Sequence, residues 1–281
     1  MVSIHADLIK ELRAMTGVGM SKCKEALQAS SGDLQEAVNY LRKKGMASGA
    51  KKEGRETKEG RIVFSEDASA LVLVEINAET DFVVENKKFQ DFAKDVAEQA
   101  LASRPVSLEA FLQENYAKDP SITIDQSRNL VIQTLGENIQ IKRLSIVEKK
   151  PGTSLGIYSH MGGKIVSMVE ITGSEQQKDL AKEISMHVAA YHPEFLKEEE
   201  VPEEIQEREK DIARSQMQGK PENIIENILK GKLKAFYAEN CLIQQKYVKD
   251  PTKTVEQFVR EEGKKQGETL YVSEFWRWTV G

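Results

Sequence analysis

Between a run that reads as a strand and one that reads as a helix lies Ala78-Glu79-Thr80-Asp81-Phe82-Val83-Val84. Its residue types suit action on another molecule. An exposed carboxylate accepts hydrogen bonds, and an aromatic ring beside it offers apolar surface to a partner. A connecting segment normally carries polar residues, so a Phe and two valines held next to a rigid sheet mark a binding site. Neither action makes or breaks a covalent bond, so neither needs a nucleophile or a general base. The residues alone leave two readings open: Phe82 protrudes as a binding tip, or it folds back as a plug in its own core.

Other reactive side chains are few. Cys23 and Cys241 stand far apart, and Cys23 shares an apolar stripe with Met20 and Leu27, which suits a reduced, packed thiol. None of His5, His160, His187 and His192 has metal-ligand spacing beside a cysteine pair, so no metal and no cofactor is expected. His187 falls seven residues after Leu180, at the edge of a helical stripe, where a satisfied half-buried histidine competes with a functional one. GxxxxGK[ST], GxSxG, HExxH and GxGxxG are missing from the sequence, and no carboxylate pair stands out in a loop, so an enzyme is not expected.

The elements that must position Phe82 follow from periodicity. Residues 1–44 read as a three-helix module. Its stripes are Leu8, Leu12, Met15; then Met20, Cys23, Leu27; then Leu34, Val38, Leu41. Gly17 and Gly19 punctuate the first turn, and Asp33 with Glu36 opens the third helix as a capping box. Residues 45–60, with four glycines and mixed charge, read as a flexible linker. Residues 61–150 and then 151–197 with 236–281 form two copies of one pattern, a strand pair, a helix, a later helix and a final strand. The helical stripes are Phe89, Phe92, Ala93, Val96, Ala100 and Leu180, Ile184, Val188, Tyr191. Aligning VEIN at Val74 with VEIT at Val169 makes DFAK and DLAK slip by seven residues, so the first copy has the longer strand-to-helix connection, the one with Phe82. Residues 198–235 read as an inserted, projecting helical hairpin, coiled-coil-like. Its first arm runs to Met217 and it turns at Gly219-Lys220-Pro221, with Ile225, Leu229 and Phe236 lining the second arm. The fold class is α+β: a helical module, then two related subdomains of small antiparallel sheet plus helices.

The 281 residues are 40% hydrophobic and 30% charged, which suits a soluble chain with a real core. No apolar run reaches membrane-spanning length and no export signal precedes the first helix, so the cytoplasm is the default compartment. The three-helix module could imitate a helix-turn-helix with Lys22, Lys24, Arg42, Lys43 and Lys44. A net charge of −5 and the lack of a base-reading set argue against nucleic acid.

ETDFVVEN and ELRAMTGVGMSKCKEAL, with GENIQIKRL and MHVAAYHPEFL in order behind them, resemble the elongation factor Ts family over nearly the whole chain. The resemblance implies a non-catalytic guanine-nucleotide exchange factor that makes elongation factor Tu release GDP. It implies that residues 1–44 are a ubiquitin-associated-like module that docks through Leu12, Arg13 and Met20. It implies that Thr80, Asp81, Phe82 and Val83 enter the GTPase domain near its Mg²⁺ and phosphate site, and that Leu135, Gly136 and His187 press on the phosphate side. The hairpin is implied to make further contacts or a homodimer, which the core also allows. Some members continue past the last strand into another helix; activity is expected without it. The alternative is an adaptor that binds protein through the same module without exchanging nucleotide.

Overall fold

Three helices open the chain: α1 (Ala6–Thr16), α2 (Met20–Ala29) and α3 (Leu34–Lys52). Gly17 ends α1 in the left-handed region at φ +68°, with its N–H donating to the Arg13 carbonyl, a position that favours glycine. The Asp33 carboxylate accepts the Glu36 N–H and caps α3. Leu12, Cys23, Ala26, Leu27, Ala37 and Leu41 meet in a small core, and Met15 turns outward instead of joining it. The structure, a computed structural model, describes residues 4–215 and 222–281.

The flexible linker expected over 45–60 does not hold. Helix α3 runs through its first half to Lys52. Gly45 and Gly49 are contact points, not breakers: a Cβ at Gly49 would fall 1.6 Å from Asn129 Oδ1, and one at Gly45 would fall 3.1 Å from the Leu130 side chain. The residues that follow are tied down. Asn138 Nδ2 donates to the carbonyls of Glu53 and Arg55, and Asn77 Nδ2 donates to that of Thr57. Arg42 bridges to Asp119 at 2.8 Å. The helical module is thus fused to the subdomain that follows it.

That subdomain contains β1 (Glu59–Glu66), β2 (Ala70–Ala78), the single turn α4 (Asp81–Val84), α5 (Lys87–Ser103), α6 (Leu108–Gln113), β3 (Asn115–Tyr116), β4 (Asp119–Thr123), α7 (Ile124–Leu135) and β5 (Ile139–Glu148). The sheet is antiparallel in the order β1-β2-β5. Phe89, Phe92, Ala93, Val96 and Ala100 of α5 are buried with Val72, Val74 and Ile76 of β2. All these elements belong to one unit, the described residues up to Glu148 with Val280–Gly281.

The second unit, the described residues of Lys149–Thr279, contains β6 (Thr153–His160), β7 (Ile165–Thr172), α8 (Lys178–Tyr191), α9 (Glu203–Ser215), α10 (Glu222–Asn240), β8 (Lys246–Tyr247), β9 (Asp250–Thr254), α11 (Val255–Gln266) and β10 (Tyr271–Thr279). Its sheet has the order β10-β7-β6, also antiparallel. Leu180, Ile184 and Val188 pack into its core with Tyr247, Val255 and Val259; Tyr191, expected on the same stripe, is half exposed. Helices α9 and α10 pack together around Ala213 and Leu229, with Ile225 and Ile228 alongside, and α10 continues to Asn240, past the expected boundary at 235. Met217 and the expected turn at Gly219-Lys220-Pro221 lie outside the described residues. Among the described residues no helix is long and apolar enough to cross a membrane.

The repeat extends into elements that periodicity misses. Asn115-Tyr116-Ala117-Lys118-Asp119-Pro120 and Lys246-Tyr247-Val248-Lys249-Asp250-Pro251 each build a two-stranded ribbon. Each ribbon runs into a helix closed by a capping box, Thr123 with Gln126 and Thr254 with Gln257.

Candidate partner-binding site

The turn α4 sorts its residues by side. Val83 and Val84 point into the core formed by β2 and α5, while Asp81 is exposed and Phe82 is 86% exposed. The reading of Phe82 as an internal plug is therefore excluded. Val83, expected to meet a partner, is the anchor of the turn instead, because its side chain is spent on burial. Asn86 then caps α5 by accepting the Lys88 N–H, so the exposed ring sits between a strand end and a helix start.

Two polar links bring other expected residues to this turn. Lys88 Nζ donates to the Gly17 carbonyl at 2.5 Å, which ties the α1–α2 turn to the start of α5. Lys22 Nζ donates to the Gln133 carbonyl at 2.7 Å, which ties α2 to the end of α7. Leu135 ends α7 half-buried, and Gly136 caps it, exposed, at φ +88°. The α1–α2 turn, α4 and the α7–β5 turn are thus joined within one unit. Arg13 is exposed and Met20 is 39% exposed, but Leu12 is fully buried and supports the module without facing out. Met15, at 58% exposure beside them, is an apolar surface residue although it shares the periodic stripe of Leu8 and Leu12.

His187 belongs to the second unit and is 0% exposed. The expectation that it presses on a partner is corrected by its hydrogen bonds. Its Nδ1 accepts the Val248 N–H at 3.2 Å, which leaves Nε2 to carry the proton and donate to Gln245 Oε1 at 2.9 Å. Tyr191 stacks on the ring at 4.7 Å between centroids. Burial holds its pKa below the ordinary value, against the Gln245 bond, which raises it. The first copy explains this arrangement. Gln99 stands where His187 stands, and its Oε1 accepts the N–H of Ala117, the counterpart of Val248. Both side chains hold a ribbon to a helix.

The thiols are inert by position. Burial pushes the Cys23 thiol up and the Cys241 thiol up to about 11, so neither is a nucleophile near neutral pH. Residues that sequence reasoning missed are Glu79 and Glu137, whose carboxylates meet the backbone at the base of α4. The available signal was the repeat itself, in which Gly136-Glu137 matches Gly267-Glu268.

A family model described as elongation factor TS matches residues 79–281, beginning at the acidic residue that opens the Phe82 connection. An elongation factor Ts of Protochlamydia amoebophila (strain UWE25) is 53% identical over 281 residues, covering 100% of both chains. Elongation factors Ts of Chlamydia felis (strain Fe/C-56) and Chlamydia muridarum (strain MoPn / Nigg) are 44% and 43% identical, again over 100% of both chains.

Proposed function

The chain belongs to the elongation factor Ts family and is a non-catalytic guanine-nucleotide exchange factor for elongation factor Tu, and from that premise we propose that it expels GDP by seating Phe82 in the GTPase domain beside the Mg²⁺ and phosphate site. GDP is held there by Mg²⁺, by backbone N–H groups at a helix N-terminus and by a lysine. Tight binding alone does not release it. The factor must bind the nucleotide-free conformation better than the GDP-bound one, because coupling between two ligands of one protein is reciprocal. A ring wedged among the partner's helices favours the shifted arrangement, and the Asp81 carboxylate competes for donors around the metal site.

The observation that carries this reading is the 86% exposure of Phe82 on a turn whose two valines are buried. Leaving a phenyl ring in water forgoes about 1.5–3 kcal/mol that burial in a partner recovers. We read α1–α3 as the ubiquitin-associated-like docking module, with Arg13 and Met20 facing the GTPase domain, and Leu135-Gly136 as a second contact beside Phe82. Action on a translational GTPase sets the cytoplasm as its compartment.

The test is release of labelled GDP from elongation factor Tu. Phe82→Ala is expected to slow stimulated release roughly 10- to 100-fold with an unchanged melting temperature, as for a buried aromatic hot spot. Release at the parental rate would overturn the proposal.

A further inference from the structure

We propose that Glu137 is the positioning residue for Phe82: its carboxylate clamps the base of α4 and holds the ring in its outward pose, an inference that rests on the wedge reading above. Strand pairing ends at Ala78 with Ile139, so residues 79 and 80 lie beyond the β2–β5 ladder. A four-residue helix is too short to be stable alone. Thr80 is its N-cap, yet its hydroxyl does not cap the helix. Both Thr80 donors go to Glu137 instead, the N–H to Oε2 at 2.9 Å and the hydroxyl to Oε1 at 2.7 Å. The preceding residue returns the arrangement: Glu79 Oε1 accepts the Asn138 N–H at 2.6 Å and pairs with Arg55 at 3.3 Å. Two adjacent residues of one connection and two of the other therefore exchange carboxylates across the end of the sheet. Charge-assisted bonds of this kind are shorter and stronger than neutral ones.

The second copy supports the assignment independently. Glu268, the counterpart of Glu137, accepts from Gln177 Nε2 at 2.8 Å, and Gln177 is the N-cap of α8. One carboxylate position thus anchors the strand-to-helix connection in both copies. In the first copy that connection is the one with the exposed ring.

The experiment measures GDP release from elongation factor Tu across a concentration series of the full chain. The variants are Glu137→Ala, Glu137→Gln, Phe82→Ala and the Glu137→Ala/Phe82→Ala double. Glu137→Ala is expected to lower the maximal release rate about tenfold, as loss of charged hydrogen bonds warrants, with the half-saturating concentration changed less than about threefold. Glu137→Gln, which keeps one acceptor, falls between. The double variant is expected to be no slower than Phe82→Ala alone, because two residues acting through one ring do not add. Amide exchange at Thr80 rises in Glu137→Ala. If that variant fails to fold, Thr80→Val removes only the hydroxyl bond and is expected to slow release in the same sense. A slow Phe82→Ala with a full-speed Glu137→Ala, or slowing that multiplies in the double, overturns the clamp and leaves the wedge standing. A full-speed Phe82→Ala overturns the wedge itself.

Discussion

At Nδ1 of His187 a proton would displace the Val248 N–H that now donates there. Burial keeps the folded-state pKa below the ordinary 6.5, so as pH falls the unfolded chain takes up this proton first. The contribution to stability is complete above the unfolded value and is lost as pH drops below it toward the folded one. Thermal melts of the second unit's signal between about pH 7.5 and pH 5.5 should therefore fall, the window being set by the ordinary histidine value. His187→Gln reinstates the chemistry of Gln99 and should flatten that slope at a cost of about 1 kcal/mol or less near neutrality. His192, also held low, by burial and Arg277, remains in the variant and sets a residual slope. A variant with the parental slope would place the proton elsewhere. The same residue shows why a histidine in a family motif is not by itself a contact: the resemblance implied function, whereas the position on its helix already allowed a satisfied histidine, which its two hydrogen bonds reveal.

Helix α3 meets α7 at Gly49, where a methyl group would land on Asn129. Asn129 cannot yield freely, because its Nδ2 donates to the Asp125 carbonyl and carboxylate. Gly49→Ala is expected to cost about 1–3 kcal/mol by overpacking, read from denaturant midpoints. Gly54→Ala, with nothing within 4 Å, serves as the neutral control. Equal midpoints for the two would show that the helices separate easily. These glycines also explain the misread linker. Glycine is a helix breaker by propensity, and local sequence cannot tell that Gly45 and Gly49 are small to admit a second helix. The long amphipathic stripes of α5 and α8 and the repeated strand pairs were legible because their burial follows a period. The ribbons of β3–β4 and β8–β9 were not, because such short strands have no period to detect; only the recurrence of Tyr-x-Lys-Asp-Pro marks them. At the site, Phe82 was legible from the seven-residue slip, whereas its exposure against the burial of Val83 depends on how one helical turn lands on the core.

Across the whole molecule the helical module does two jobs within its unit. Deleting residues 1–54 removes Arg13 and Met20, uncovers the α7 face at Leu130, and leaves Asn138 without the Glu53 carbonyl. Most stimulated GDP release should be lost, and the remaining chain should also melt lower by several degrees, about what a loss of 1–2 kcal/mol implies. A truncated chain with parental release would remove docking from the account, and one with a parental melt would remove the fused packing. The excess in the first copy's strand-to-helix connection has a consequence of its own. The second copy reaches the start of its helix without those residues, so the framework is complete in their absence. At this connection the first copy has an added fitting, fastened by two buried valines and crossed carboxylates. Evolution can reshape its tip, and an engineer can transplant it, without redrafting the scaffold beneath.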